Sequence, residues 1–229
     1  MAGPARSTAA KGVLSAVLGQ VAFALMLFLP AGTIHYWQGW AFLGVFALAA
    51  GIPTGYLIRT NPAALERRMR VGPAAETRPL QRILITVVFI AFPATFIGSA
   101  LDHRFGWSHV PAPVSVVGDV LVAAGLGLAM LVVIQNGYAA ATVTVEAGQQ
   151  LVSTGLYGVV RHPMYTGNIV LMLGIPLALG SYWGLLLLVP GILVLVLRIR
   201  DEEELLTRGL SGYREYTEQV HYRLLPYIW

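Results

Sequence analysis

The sequence predicts an all-α polytopic integral membrane protein with about six transmembrane helices, a C-terminal helical hairpin and an amphipathic helix after it. Three observations predict it. Of the 229 residues 56% are apolar and only 11% charged, where a soluble domain carries about 25% charged residues. The apolar residues gather into runs of the length that crosses a bilayer, about 17–25 residues. The basic residues alternate between loops in the manner that fixes membrane orientation. The same composition excludes disorder and an ordinary cytosolic enzyme. The absence of cysteine excludes a disulfide scaffold, thiol catalysis and cysteine-ligated metal.

The first span covers residues 13–29 and is ended by Pro30 and Gly32. It is too long, and too poor in small cleavage-site residues, for a signal peptide. The second covers 40–58, with Tyr36, Trp37 and Trp40 at the interfacial level that aromatic rings prefer. The third covers 83–100 and the fourth 114–134. Two last apolar runs, 163–181 and 182–198, are separated by a small turn near Ser181 and form the hairpin. Beyond it Leu206, Leu210, Tyr213, Tyr216 and Val220 recur at helical spacing, which predicts an amphipathic surface helix. The chain reads as one membrane domain, with four spans in 1–140 and the chemistry-bearing region in 141–229.

Charge tests that count. With the N-terminus inside, 14 of the 15 basic residues fall on the cytoplasmic side and only Arg104 outside. Both termini are then cytoplasmic, in a multi-pass protein of a cell inner membrane. The net charge of +4 is a topology signal, and nucleic acid is not an expected partner. The longest polar connection is 59–82, where Asn61 and Pro62 are placed to start a short helix towards Arg70. Its Ala64, Leu65 and Met69 among arginines suit an amphipathic helix on an anionic leaflet or, equally, a solvated basic loop.

The residues able to do chemistry cluster late in the chain. Residues 149–157, from Gln149 to Tyr157, lead into Arg161-His162-Pro163-Met164-Tyr165-Thr166-Gly167-Asn168. Polar and ionisable groups at the mouth of an apolar hairpin are costly without a use. Pro163 suits the first helical position and pushes His162 outside the helix, leaving the helix start as a potential anion site. Arg198 and Glu202 are four residues apart and share a helical face, with Glu203 beside them. A tight hairpin sets the two clusters side by side at the cytoplasmic boundary. Each residue also has a plainer use: the arginines as anchors, the glutamates as exposed partners, His162 as a structural group, the tyrosines as an interfacial belt. The case for a site rests on co-location. No metal site is expected, because the five histidines are scattered.

Leu151-Val152-Ser153-Thr154-Gly155-Leu156-Tyr157, then Arg161-His162-Pro163-Met164-Tyr165-Thr166-Gly167, then Arg198…Glu202-Glu203 and Arg223-Leu224-Leu225-Pro226 resemble the membrane-embedded isoprenylcysteine carboxyl methyltransferase family. The resemblance spans 149–229; earlier spans match only in hydropathy. It implies methyl transfer from S-adenosyl-L-methionine at the cytoplasmic face, to a small lipophilic or membrane-anchored acceptor held in the bilayer, such as a prenylated or lipid-like carboxylate. It implies a cofactor pocket lined by Gln149, Gln150, Leu151, Val152, Tyr157, Arg161, His162, Pro163, Met164 and Tyr165, with Glu202 contacting the cofactor. Arg198 then faces the acceptor. The candidate catalytic residues are Arg198, which would hold a carboxylate acceptor that needs no base, and Glu203, which could take the proton of an amine acceptor; the sequence offers both. Gln149 departs from the eukaryotic members, which have histidine there. Phospholipid N-methyltransferases share much of the pattern, and so do NADPH-dependent sterol and steroid reductases, although Met164 and Asn168 depart from the reductase form. A transporter or assembly factor would carry polar residues at mid-membrane depth, and the spans here are nearly free of them.

Overall fold

A computed structural model describes residues 3–229, with side chains from residue 10 onward; Arg6, placed above on the inside, lies outside the described side chains. The chain is 74% helical, with no strand among the described residues. In chain order the helices are α1 (Gly3–Ala31), α2 (Trp37–Thr60), a short α3 (Pro62–Met69), α4 (Pro79–Phe105), α5 (Ala112–Gln135), α6 (Pro163–Ala178), α7 (Leu188–Gly209) and α8 (Tyr213–Gln219). Among the described residues five stretches are long and apolar enough to cross a membrane: Ala10–Ala31, α2, α4, α5, and Trp183–Gly209, which joins a 3-10 turn to α7. The sixth expected span, α6, has 16 residues and so reaches only ~24 Å.

The apolar core lies at the end of the bundle away from the Arg198 cluster. Leu27, Tyr36, Phe42, Phe96, Val122, Ile175 and Leu179 are fully or almost fully buried there, and Phe23 stacks on Phe96 with centroids 4.9 Å apart. A buried polar knot fixes the same end. The Asp102 carboxylate accepts from Ser181 Oγ at 2.5 Å and from Ser108 N and Oγ, both at 2.7 Å. Tyr36 Oη donates to Leu179 O at 2.5 Å. These bonds tie the turn after α6 to the ends of α2 and α4.

Helix α6 lies along α5, antiparallel and very close. Gly118 and Gly125 on α5 face Gly174 and Gly167 on α6. A Cβ on Gly125 would stand 2.7 Å from Gly167 O, and one on Gly174 would stand 2.8 Å from Val122 N. Small residues that let backbones approach are the usual means of holding helices together in lipid, where no hydrophobic force separates helix from solvent. The α6–α7 hairpin is joined by the 3-10 turn Trp183–Leu187.

The last helix runs past the span to Gly209, in keeping with the shared face of Arg198 and Glu202, and Arg198 and Asp201 are buried against the start of α4. One difference from the sequence reading bears on the site. The stripe from Leu206 to Val220 is not one surface helix. Gly212, in the left-handed region at φ 79°, breaks it. Tyr213, Tyr216 and Val220 are buried with Leu151, Leu206 and Leu210 packed on them. An apolar stripe faces protein here, where the periodicity alone allowed lipid. Likewise α3 forms as expected, Asn61 Oδ1 accepting from Ala64 N at 3.0 Å. Its Ala64 and Leu65 pack on Leu57 and Val133, so its apolar face is taken up by α2 and α5.

Candidate functional site

The mouth of α6 is built by the C-terminal tail as much as by the helix. His162 is the N-cap and Pro163 the first helical residue. The backbone N–H groups of Arg161 and His162 donate to Tyr222 O and Arg223 O, both at 2.9 Å. Thr166 Oγ1 donates to Leu224 O at 2.7 Å. Glu203, from α7, clamps this junction: its carboxylate accepts from Arg223 Nε at 2.8 Å and stands 3.2 Å from both Arg161 Nε and His162 Nε2.

One turn along α6, Tyr165 joins α6 to α7. Its hydroxyl donates to Glu202 Oε2 at 2.6 Å and accepts from Arg198 Nε at 3.1 Å. Arg198 is 6% exposed and almost wholly engaged. Nη1 donates to Gln81 Oε1 at 2.7 Å, Nη2 donates to Ala141 O at 2.7 Å, and Nη2 stands 2.8 Å from Glu76 Oε1. Three of its five N–H groups donate hydrogen bonds and Glu76 pairs with Nη2 by charge, which leaves one Nη1 hydrogen without a partner. Gln81 Nε2 in turn donates to Asp201 Oδ2 at 2.7 Å, and Arg78 Nε donates to the same oxygen at 2.7 Å. Glu76 Oε2 accepts from Val143 N at 3.2 Å. The network thus joins α4, α6, α7 and the chain around 141–143.

Against this network lies a cavity of about 380 Å³, within the usual range of small-molecule sites. Its polar part is bounded by Gln149, Gln150, Tyr157, Tyr165, Arg198 and Glu202, and its apolar part by Ile85, Val88, Phe92, Leu171, Met172 and Leu195. Gly191 also lines it, seven residues up α7 from Arg198, so the apolar part reaches ~10 Å along the helix axis beyond the Arg198 backbone. Tyr157 is fixed from two sides: its hydroxyl accepts from Asn136 Nδ2 at 3.2 Å, and its carbonyl accepts from Tyr216 Oη at 2.7 Å. Burial pushes the Tyr157 hydroxyl above its ordinary pKa, so it stays protonated.

The predicted residues Gln149, Gln150, Leu151, Val152, Tyr157, Arg161, His162, Pro163, Met164, Tyr165, Arg198 and Glu202 all border this cavity. Glu203 does not; it is turned to the Arg161, His162 and Arg223 junction, with both oxygens engaged. A carboxylate held by two guanidiniums and an imidazole nitrogen is disposed to fix the mouth, and poorly disposed to take a proton from a molecule in the cavity. Sequence reasoning missed Glu76 and Gln81, which hold Arg198, and the cavity residues Arg68, Asn136 and Tyr138–Thr144. The only signal for the last was a run of small and β-branched residues outside any span. Among the described residues no group of three or more His, Asp or Glu could hold a metal ion.

Residues 114–212 match the family described as phospholipid methyltransferase. That segment runs from the start of α5 to the Gly212 turn and contains every predicted cavity residue. The matched family is one of membrane methyltransferases related to the isoprenylcysteine carboxyl methyltransferases. A stretch of 91 residues is 33% identical to a Delta(14)-sterol reductase of Mus musculus, over 38% of this chain and 22% of that protein. The chain thus covers far less than two thirds of that relative's length.

Proposed function

From the membrane methyltransferase family of residues 114–212, we propose that this protein transfers a methyl group from S-adenosyl-L-methionine to a lipid-like acceptor. The acceptor we favour carries a carboxylate. The observation that carries this reading is a single cavity with a polar part beside an apolar part between α4, α6 and α7.

The donor set suits the cofactor. Glu202 has one oxygen engaged by Tyr165 and the other without a hydrogen-bond partner among the described residues, so it can accept from an ammonium. Gln149, Gln150 and Tyr157 offer neutral donors and acceptors, and Leu151, Val152, Pro163 and Met164 offer apolar walls. When bound, S-adenosylmethionine supplies an electrophilic methyl group on a sulfonium centre. The chain's own part is positioning and desolvation. Arg198 and Glu202 hold the Tyr165 hydroxyl between them. The tail junction at Glu203 keeps the α6 mouth closed to water. The remaining Nη1 hydrogen of Arg198 can orient an acceptor oxygen. A carboxylate acceptor, with a reference pKa of about 4, is ionised at neutral pH and needs no base. An amine acceptor, as in a phospholipid N-methyltransferase, must lose a proton, and Glu203 is turned away from where one would sit.

Incubation with methyl-tritiated S-adenosylmethionine and a membrane lipid extract should give organic-soluble label that is lost on mild alkali, as a methyl ester is. Glu202→Gln should abolish most of it. Alkali-stable label would instead favour an N-methyl product. A second reading, NADPH-dependent reduction, draws on the likeness to the mouse sterol reductase. It requires NADPH oxidation and no labelled product.

The favoured orientation places both termini and the 59–82 connection in the cytoplasm of a cell with an inner membrane. A single cysteine at residue 70 should then resist an impermeant thiol reagent added to intact cells; rapid labelling would invert the topology.

A further inference from the structure

Helix α3 is held as a rigid mount. Asn61 caps it, Ala64 and Leu65 pack it down, and Arg67 pins it to the loop ahead of the site. Arg67 Nε donates to the Glu146 carboxylate at 3.0 and 3.1 Å, and Nη1 donates to Gly137 O at 3.2 Å. The Arg67 guanidinium also lies 5.0 Å from the centroid of Tyr138. The next residue, Arg68, is turned ~100° round the helix and borders the cavity.

Arg68 differs from the other cations there. Arg198 directs all but one of its N–H groups at Tyr165, Gln81, Ala141 and Glu76, and Arg161 stands against Glu203. Among the described residues Arg68 has no ion-pair or hydrogen-bond partner, and Tyr157 and Tyr165 border the same cavity. Burial pulls its pKa below the ordinary guanidinium value, yet arginine stays charged in proteins. A partly desolvated cation without a counter-charge is costly, and an anion in the cavity would offset that cost. Glu202, with one oxygen on Tyr165 and the other open, borders the same cavity. A free cation and a half-free carboxylate bordering one cavity are complementary to a carboxylate and an ammonium carried on one carbon.

Resting on the methyl-donor reading, we propose that Arg68 binds the carboxylate of the donor's amino-acid group while Glu202 takes its ammonium. Arg68 lies outside the residues that match the family, so the match itself says nothing of it. The cavity then recognises the donor as a zwitterion, through α3 on one side and α7 on the other.

The test compares two ligands by calorimetry on the full-length protein in detergent. S-adenosylhomocysteine carries the amino-acid group, and 5′-methylthioadenosine lacks it. Arg68→Gln should weaken S-adenosylhomocysteine at least tenfold, the order of a lost charge-assisted hydrogen bond, and leave methylthioadenosine within about twofold. Arg68→Lys should recover part of the loss, because a point charge replaces a planar fork. Arg70→Gln, which removes an exposed charge paired with Glu66, should match the wild type. Unchanged S-adenosylhomocysteine affinity in Arg68→Gln would show that any carboxylate Arg68 holds is not the donor's, and overturns the proposal. Equal loss for both ligands overturns it too, as a structural effect. Failure of the wild-type protein to bind S-adenosylhomocysteine at all would sink the methyl-donor reading, and the Arg68 role with it.

Discussion

Arg198→Leu is expected to destabilise the folded protein by about 3–5 kcal/mol, far more than loss of a topology anchor would. The cost comes from what the guanidinium leaves behind. Glu76 is 1% exposed and Gln81 0%, and both direct side-chain oxygens at Arg198. Removing one member of a buried ion pair strands the other charge, which typically costs about 3–5 kcal/mol. Arg198→Lys should recover only part, since one ammonium cannot reach acceptors on α4, α6 and the 141–143 segment together. The double variant Arg198→Leu, Glu76→Leu should be markedly more stable than the sum of the two single losses, because neither charge is then orphaned. Thermal unfolding in detergent reads all three. A simple anchor predicts a near-normal midpoint for Arg198→Leu, with Arg200 still beside it.

The second large effect lies in the α5–α6 contact. A Cβ on Gly118 would stand 2.1 Å from Ala178 N and 2.6 Å from Leu177 C. Both neighbours are backbone, so no side-chain rotation relieves the clash. Gly118→Val should force the helices apart and cost about 3 kcal/mol or more, the upper range for overpacking. The loss should extend to ligand binding, since α6 carries His162 and Tyr165. Gly127 on the same helix has nothing within 4 Å of its Cβ position. Gly127→Ala should therefore be neutral or slightly stabilising, in line with helix propensity. Similar losses in both variants would mean that the two helices do not meet at Gly118.

The spans were legible because a bilayer imposes its thickness on the sequence, and hydropathy reports that directly. The cavity wall from Gln149 to Tyr165 was legible because its members are close in sequence and share one motif. What stayed hidden was pairing at long range. Gln81 and Arg198 are separated by 117 positions, and nothing local marks a glutamine at the start of a span as the partner of an arginine at the end of another. Glu76 sat in a connection that read as basic, yet it is a buried anion paired with Arg198. Arg68 was one cation in a run of arginines whose summed charge reported topology; only the docking of α3 separates it from Arg67 and Arg70. The stripe of Leu206, Leu210, Tyr213 and Tyr216 shows the opposite limit. Its period identifies an apolar face but not what covers it.

The central claim is that the cavity against Tyr165, Arg198 and Glu202 binds a methyl donor. Calorimetric titration of the detergent-purified wild-type protein with S-adenosylhomocysteine and, separately, with NADPH tests it without needing the acceptor. The account predicts saturable one-site binding of S-adenosylhomocysteine, and no heat from NADPH beyond dilution. Binding of NADPH with none of S-adenosylhomocysteine would contradict it and assign the cavity to reduction.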